Sequence, residues 1–176
     1  KRDISLDGIE ELSDAAAESF SKHQGDLSLG NLTELSDTAA ESLSKHQGYL
    51  NLDGLTELGN AASLSNHQGG ISLLGLIEIS DSAAESLSKH KGELSLRHFY
   101  KLSDASAEFL SKHQGSLSLS ISELSDKAAE SLSKLNGNLD FEFLQELSDA
   151  AAESLSKHKG KINDMDPKEW VESLKD

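Results

Sequence analysis

The feature that most restricts this chain is a phrase that keeps returning. Ser36-Asp37-Thr38-Ala39-Ala40-Glu41-Ser42-Leu43-Ser44-Lys45-His46-Gln47-Gly48 has near copies at 13–25, 80–92, 103–115, 125–137 and 148–160, and a shortened copy at 59–69. A motif recurring about every 23 residues is the signature of stacked supersecondary units, each too small to bury an apolar face alone. Seven units begin at Ile4, Leu27, Leu50, Ile71, Leu94, Leu117 and Leu139. The third is two residues short in its second half and the sixth one residue short, so length variation is tolerated outside the unit's opening.

Each unit opens on an alternating apolar triplet such as Leu27-Ser28-Leu29 or Leu94-Ser95-Leu96. The alternation predicts a short strand with its first and third side chains inward. Leucines at three-residue steps, Leu32 and Leu35 in the second unit, then carry the chain around a bend that often holds Gly, as at Gly8, Gly54 and Gly75. Ser-Asp follows as a helix N-cap. A helix of about ten residues is expected next, with Ala39, Leu43 and His46 on one stripe and Gly48 as a left-handed stop. Glu41 and Lys45, or Glu85 and Lys89, are placed as exposed i,i+4 pairs. Strand, bend, helix and return form one right-handed coil. Because helices need more room than strands, the coils should stack into a curved α/β solenoid, parallel sheet on the concave side and helices on the convex side.

This pattern resembles the leucine-rich repeat family, in particular its short bacterial repeats reading LxLxGLxxLSDxAAxxLxKHxG. The resemblance covers residues 4 to 161. It departs from the common consensus where a buried Asn is usual, since this chain has Ile9, Leu32, Leu55, Leu76, Phe99, Ile121 and Leu144 there. The resemblance implies a non-enzymatic scaffold that binds a protein partner through its concave sheet or adjoining loops. Residues 162–176 read as a C-terminal capping helix on a solenoid spanning 1–161. Asp166-Pro167-Lys168-Glu169 makes a helix start, and Trp170, Val171 and Leu174 can cover the last coil.

Composition narrows function mostly by exclusion. With 31 acidic against 16 basic side chains, the net charge is -15, which disfavours nucleic acid as a partner. No run approaches the roughly 18 apolar residues of a membrane span. There is no cysteine to supply a disulfide, a thiolate ligand or a nucleophile. The compartment stays open between secreted or cell-surface and cytoplasmic.

Two columns invite a chemical reading. His23, His46, His67, His90, His113 and His158 recur in register, with Leu135 in the sixth unit. A metal ladder or a pH sensor would use them, but acceptance of Leu135 and the position on the Ala/Leu stripe favour packing, with the ring donating to late helix carbonyls. Glu11, Glu34, Glu57, Glu78, Glu123 and Glu146 line the bend and read as a solvated acidic edge rather than a calcium ladder. Serines are present in every coil and none sits in a nucleophile elbow, so no catalytic residue, cofactor or metal is expected.

Columns that vary between coils are freer of the shared packing demand. The residues just after each strand differ, as in Asp7/Gly8, Gly30/Asn31 and Asp53/Gly54, and so do those just before it, as in Asp26, Tyr49 and Glu93. The fifth unit carries Arg97, His98, Tyr100 and Lys101 together in an otherwise acidic array. These four and Tyr49 are the candidate partner-binding residues, Arg and Tyr being frequent interface anchors. The alternative readings are a spacer module of a larger surface protein and a carbohydrate or metal binder. Self-association through the weakly capped N-terminal coil is a further expectation.

Overall fold

The computed structural model describes residues 2–58, 63–96 and 102–174. Seven short strands, β1 (Ile4–Ser5), β2 (Leu27–Ser28), β3 (Leu50–Asn51), β4 (Ile71–Ser72), β5 (Leu94–Leu96), β6 (Leu117–Leu119) and β7 (Leu139–Phe141), form one parallel sheet in sequence order. Ile4, Leu27, Leu50, Ile71, Leu94, Leu117 and Leu139 pair in unbroken register, so each predicted unit start is a rung of one ladder. The sheet is open, and helices alternate with its strands as expected of an α/β repeat solenoid.

The helices are α1 (Asp14–Phe20), α2 (Asp37–Leu43), α3 (Asp81–Leu87), α4 (Asp104–Leu110), α5 (Asp126–Leu132), α6 (Asp149–Leu155) and α7 (Pro167–Ser173). In the third coil the described residues after the bend hold a 3-10 turn, Leu64–Asn66. That coil is the shortened one, and Leu64 still reaches the core fully buried. The core is a continuous column in which strand leucines meet the small faces of the helices, Ala39, Ala84, Ala107 and Ala129 among them. Alanine on this face lets each helix lie close to the sheet.

The N-cap expectation holds in detail. Ser36 has extended backbone angles, and its hydroxyl accepts from the Ala39 N–H at 3.0 Å. The same hydroxyl does a second job that one unit read alone does not reveal. It donates to Asp14 of the preceding coil at 2.6 Å, just as Ser103 donates to Asp81 at 2.8 Å and Ser125 to Asp104 at 2.5 Å. Ser-Asp therefore caps its own helix and ties it to the neighbouring one.

The helix ends sooner than the periodicity predicts. It stops after seven residues at Leu43 rather than running on to His46. Beyond it, Lys45 and His46 bond back three residues, to Ser42 O and Leu43 O, and the Ser44 hydroxyl donates to Glu41 O at 2.7 Å. This tightening of the last turn puts His46 in the helix-to-strand turn. The glycine after it is not left-handed either, for no glycine among the described residues has a positive φ. Its role is steric. A Cβ on Gly48, Gly69, Gly92, Gly115, Gly137 or Gly160 would come within 3.0 Å of the carbonyl oxygen of the glycine one coil earlier. Gly54 and Gly75 in the bends are held small in the same way, against Leu32 O and Asp53 O, whereas a Cβ on Gly8 would meet nothing.

At the C-terminal end Ile162 bridges to Leu139 as one more parallel rung. Asn163 then offers its side-chain amide to β7 in place of a strand: Phe141 N–H donates to Oδ1 at 2.7 Å and Nδ2 donates to Phe141 O at 2.8 Å. Asn163 and Asp164 are both left-handed, at φ 49 and 62, a conformation those residues tolerate. They turn the chain into α7, where Trp170 and Val171 are buried and the Trp170 ring stacks on Phe141 at 5.5 Å. The capping role expected of Trp170, Val171 and Leu174 is thus seen, with Asp166 as N-cap accepting from the Lys168 N–H.

Candidate functional site

The candidate interface is the strand face with the loops at its two edges. Alternation along each strand turns one side chain away from the leucine core, giving the row Ser5, Ser28, Asn51, Ser72, Ser95, Ser118 and Asp140, of which Ser72, Ser95 and Ser118 are nonetheless buried. These hydroxyls are more than spacers. Ser5 and Ser28 donate to the Asp7 carboxylate at 2.7 and 2.5 Å, Ser72 donates to Asp53 at 2.5 Å, and Ser120 donates to Glu142 at 2.6 Å. Asp7 also accepts the Gly30 N–H at 2.8 Å, and Asp53 the Leu74 N–H at 3.0 Å. The hydrogen bonds from Ser28, Ser5 and Gly30 hold the Asp7 carboxyl below the usual aspartate range. The varied position after the strand is therefore partly structural, because an Asp there fastens the next coil's backbone.

The position before the strand behaves similarly. Asp3 and Asp26 accept the Asp26 and Tyr49 N–H groups of the next coil at 3.0 and 2.9 Å, and Asn138 accepts from Lys161 at 3.0 Å. Tyr49 itself is half-buried, its ring lying where a Cβ on Gly70 would touch it. Arg97, His98, Tyr100 and Lys101, the other candidate partner residues, lie outside the described residues.

What results is a rigid, polar and acidic surface. Asp7, Asp53, Asp140 and Glu142 stand along it, and a shallow notch of about 200 Å³ opens between β6, β7 and Asn163, lined by Ser118, Asp140 and Glu142. The bend carboxylates Glu11, Glu34, Glu57, Glu78, Glu123 and Glu146 are all exposed. Among the described residues no group of three or more His, Asp or Glu is arranged to hold a metal ion, and no helix is long and apolar enough to cross a membrane.

The histidine column lies on the opposite side of each strand's entry, in the helix-to-strand turn. His23, His46, His67, His90 and His113 stack in sequence, with ring centroids 6.1, 5.9, 6.1 and 5.7 Å apart and planes within 18° of parallel. The hydrogen bonds differ from those expected of a residue at a helix C-terminus. Nε2 of His67 donates to Gly48 O at 2.9 Å and Nε2 of His113 to Gly92 O at 3.0 Å, both in the preceding coil. The rings join coils rather than capping their own helices. Burial lowers the pKa of His46, His90 and His113, and takes His67 down to about 4 against the pull of the Gly48 carbonyl. Leu135 fills the same place in the sixth coil, buried, so the role accepts an apolar side chain.

No protein-family model matches this chain, and no curated protein matches it.

Proposed function

We propose that this chain is a non-enzymatic scaffold of the leucine-rich repeat type, binding a protein partner through its strand face or the strand-to-helix loops. One observation carries the reading. The repeated residues are consumed by coil-to-coil packing, while the edges of the strand face carry groups that differ from coil to coil, such as Tyr49, Asp140 and Glu142, on an ordered sheet. Binding surfaces favour such preorganisation, since little side-chain or loop entropy remains to be lost on association. With Asp7, Asp53, Asp140 and Glu142 along that face, a basic partner surface is the complementary one. Arg97 and Lys101 give the fifth coil a distinct charge that would set the register of the complex.

The test is site-specific photo-crosslinking. A probe at Ser28 or Asn51 on the strand face, both part-exposed, should capture one defined protein, and a probe at Glu41 on the helix face should not. Equal capture from both faces, or none by the folded array, overturns the reading and leaves the spacer module in its place. Charge reversal of Arg97 and Lys101 should abolish capture.

The proposal extends to self-association through the first coil, where Ile4, Leu6, Ile9 and Phe20 are only partly buried while the equivalent Leu27, Leu29, Leu32 and Leu43 are almost wholly so. Light scattering should show association that disappears when a capping coil is added at that end.

A further inference from the structure

The binding reading leaves the stacked imidazoles unused, and their geometry carries a consequence of its own. Five rings follow one another at 5.7–6.1 Å through coils 1 to 5. At that separation two charged imidazolium rings repel, and more strongly when water is absent. His67, His90 and His113 are fully buried. Since Nε2 of His67 and of His113 faces a carbonyl and must carry the hydrogen, a second proton would go to Nδ1, and Nδ1 of both rings is buried without a partner. His90 has no partner on either nitrogen. Protonation would thus place a buried charge beside rings that repel it, with only backbone groups outside good hydrogen-bond geometry to receive the new N–H.

The charged groups acting on the stack are its own members and the Asp26 carboxylate beside His46. Around His67, His90 and His113 the other named contacts are backbone groups of Gly48, Gly70, Gly69, Glu93, His67, Gly92, His90, Ser116 and Leu87. Past the break at Leu135 the arrangement changes, because His158 has a carbonyl opposite each ring nitrogen, Gly137 O at 2.9 Å and Ser133 O at 3.2 Å.

We propose that the imidazole stack from His46 to His113 is an acid-sensitive spine, intact at neutral pH, which takes up protons as pH falls and forces the central coils apart. The direction follows from linkage. A histidine kept neutral in the folded chain and free to charge in the unfolded chain contributes stability that is present above its unfolded pKa of 6.5 and is lost as pH falls from there toward the folded value, about 4 for His67. Each such histidine multiplies the unfolding constant by up to about tenfold per pH unit in that window, and three together by up to about a thousandfold. An opposing effect comes from the net charge of -15, because acid also relieves carboxylate repulsion. Variants separate the two.

Urea unfolding of the whole chain is measured from pH 7.5 to 4.5. The native chain should lose stability steeply below pH 6.5. The triple variant H67L/H90L/H113L, which copies the leucine already present at 135, should show a much shallower fall. Should that variant fail to fold, L135H, which extends the stack toward His158, should steepen the fall. NMR titration of the folded native chain should find buried Cε1–H resonances that do not titrate until well below pH 6.5. The proposal is overturned by a native unfolding constant flat across the window, by a triple variant that tracks the native profile, by an L135H profile no steeper than native, or by buried rings titrating at 6.5 or above. None of these readouts depends on a bound partner.

Discussion

Every coil reverses direction twice, and the two reversals are built differently. From the second coil on, the helix-to-strand turn is dry and repeated: its histidine, or Leu135, is buried, its serine hydroxyl returns to the helix as at Ser44, and its glycine lies against the glycine carbonyl one coil away. The strand-to-helix bend is wetter and varied, with exposed glutamates and, among the described residues, an Asp, Gly, Leu, Ser or Glu following the strand. The contrast shows what repetition records in a solenoid. Letters recur where one backbone meets the next with no solvent between them, and drift where water can compensate for a change.

Substitutions that cross this divide should expose it. The largest effect is expected from Gly92→Ala, whose Cβ runs into Gly69 O; overpacking of that kind costs about 3 kcal/mol or prevents folding. Gly8→Ala, at a bend glycine with nothing near its Cβ, should leave the urea midpoint unchanged. Gly54→Ala, whose Cβ would meet Leu32 O, should fall with Gly92→Ala, so that coil-to-coil contact rather than place in turn or bend sets the cost; a Gly8→Ala loss as large as theirs would break that rule. Ser103→Ala comes next, at about 1–2 kcal/mol for a lost N-cap. Its loss should exceed that of a serine capping one helix only, since its hydroxyl also joins Asp81 of the preceding coil.

On the strand side, Asp7 contributes stability above its unfolded pKa of 3.8 that is lost as pH falls through its lowered folded value. D7N should therefore alter the acid limb only below about pH 4, apart from the histidine window. The smallest effect is expected at the exposed pair of Lys45 and Glu41, 3.4 Å apart with both side chains about two-thirds exposed, where Lys45→Ala should not move the melting midpoint measurably.

The architecture was legible because one unit written seven times places its own strand starts, as the rungs from Ile4 to Leu139 show. Less legible was anything made between coils. Ser36 announces a helix cap, but its bond to Asp14 spans 22 residues and leaves no local trace. Gly48 suggested a left-handed stop because helices commonly end that way, while its actual constraint is a carbonyl from another coil. His46 fell on the helical stripe by spacing, yet the Ser44 hydroxyl and two tightened backbone bonds ended the helix first. On the strand face the aspartates looked free by their variation, although Asp7 and Asp53 hold their neighbours' backbone.

The unbroken register of the strands has a consequence for how such an array can change length. Units of different size enter the sheet at the same rung, the shortened third coil still passing from Leu50 to Ile71 in register. Each junction between coils is therefore interchangeable with the next, and a whole unit could be duplicated or lost in the gene without opening a seam. Folding would then proceed by the same neighbour-to-neighbour step however many coils there are.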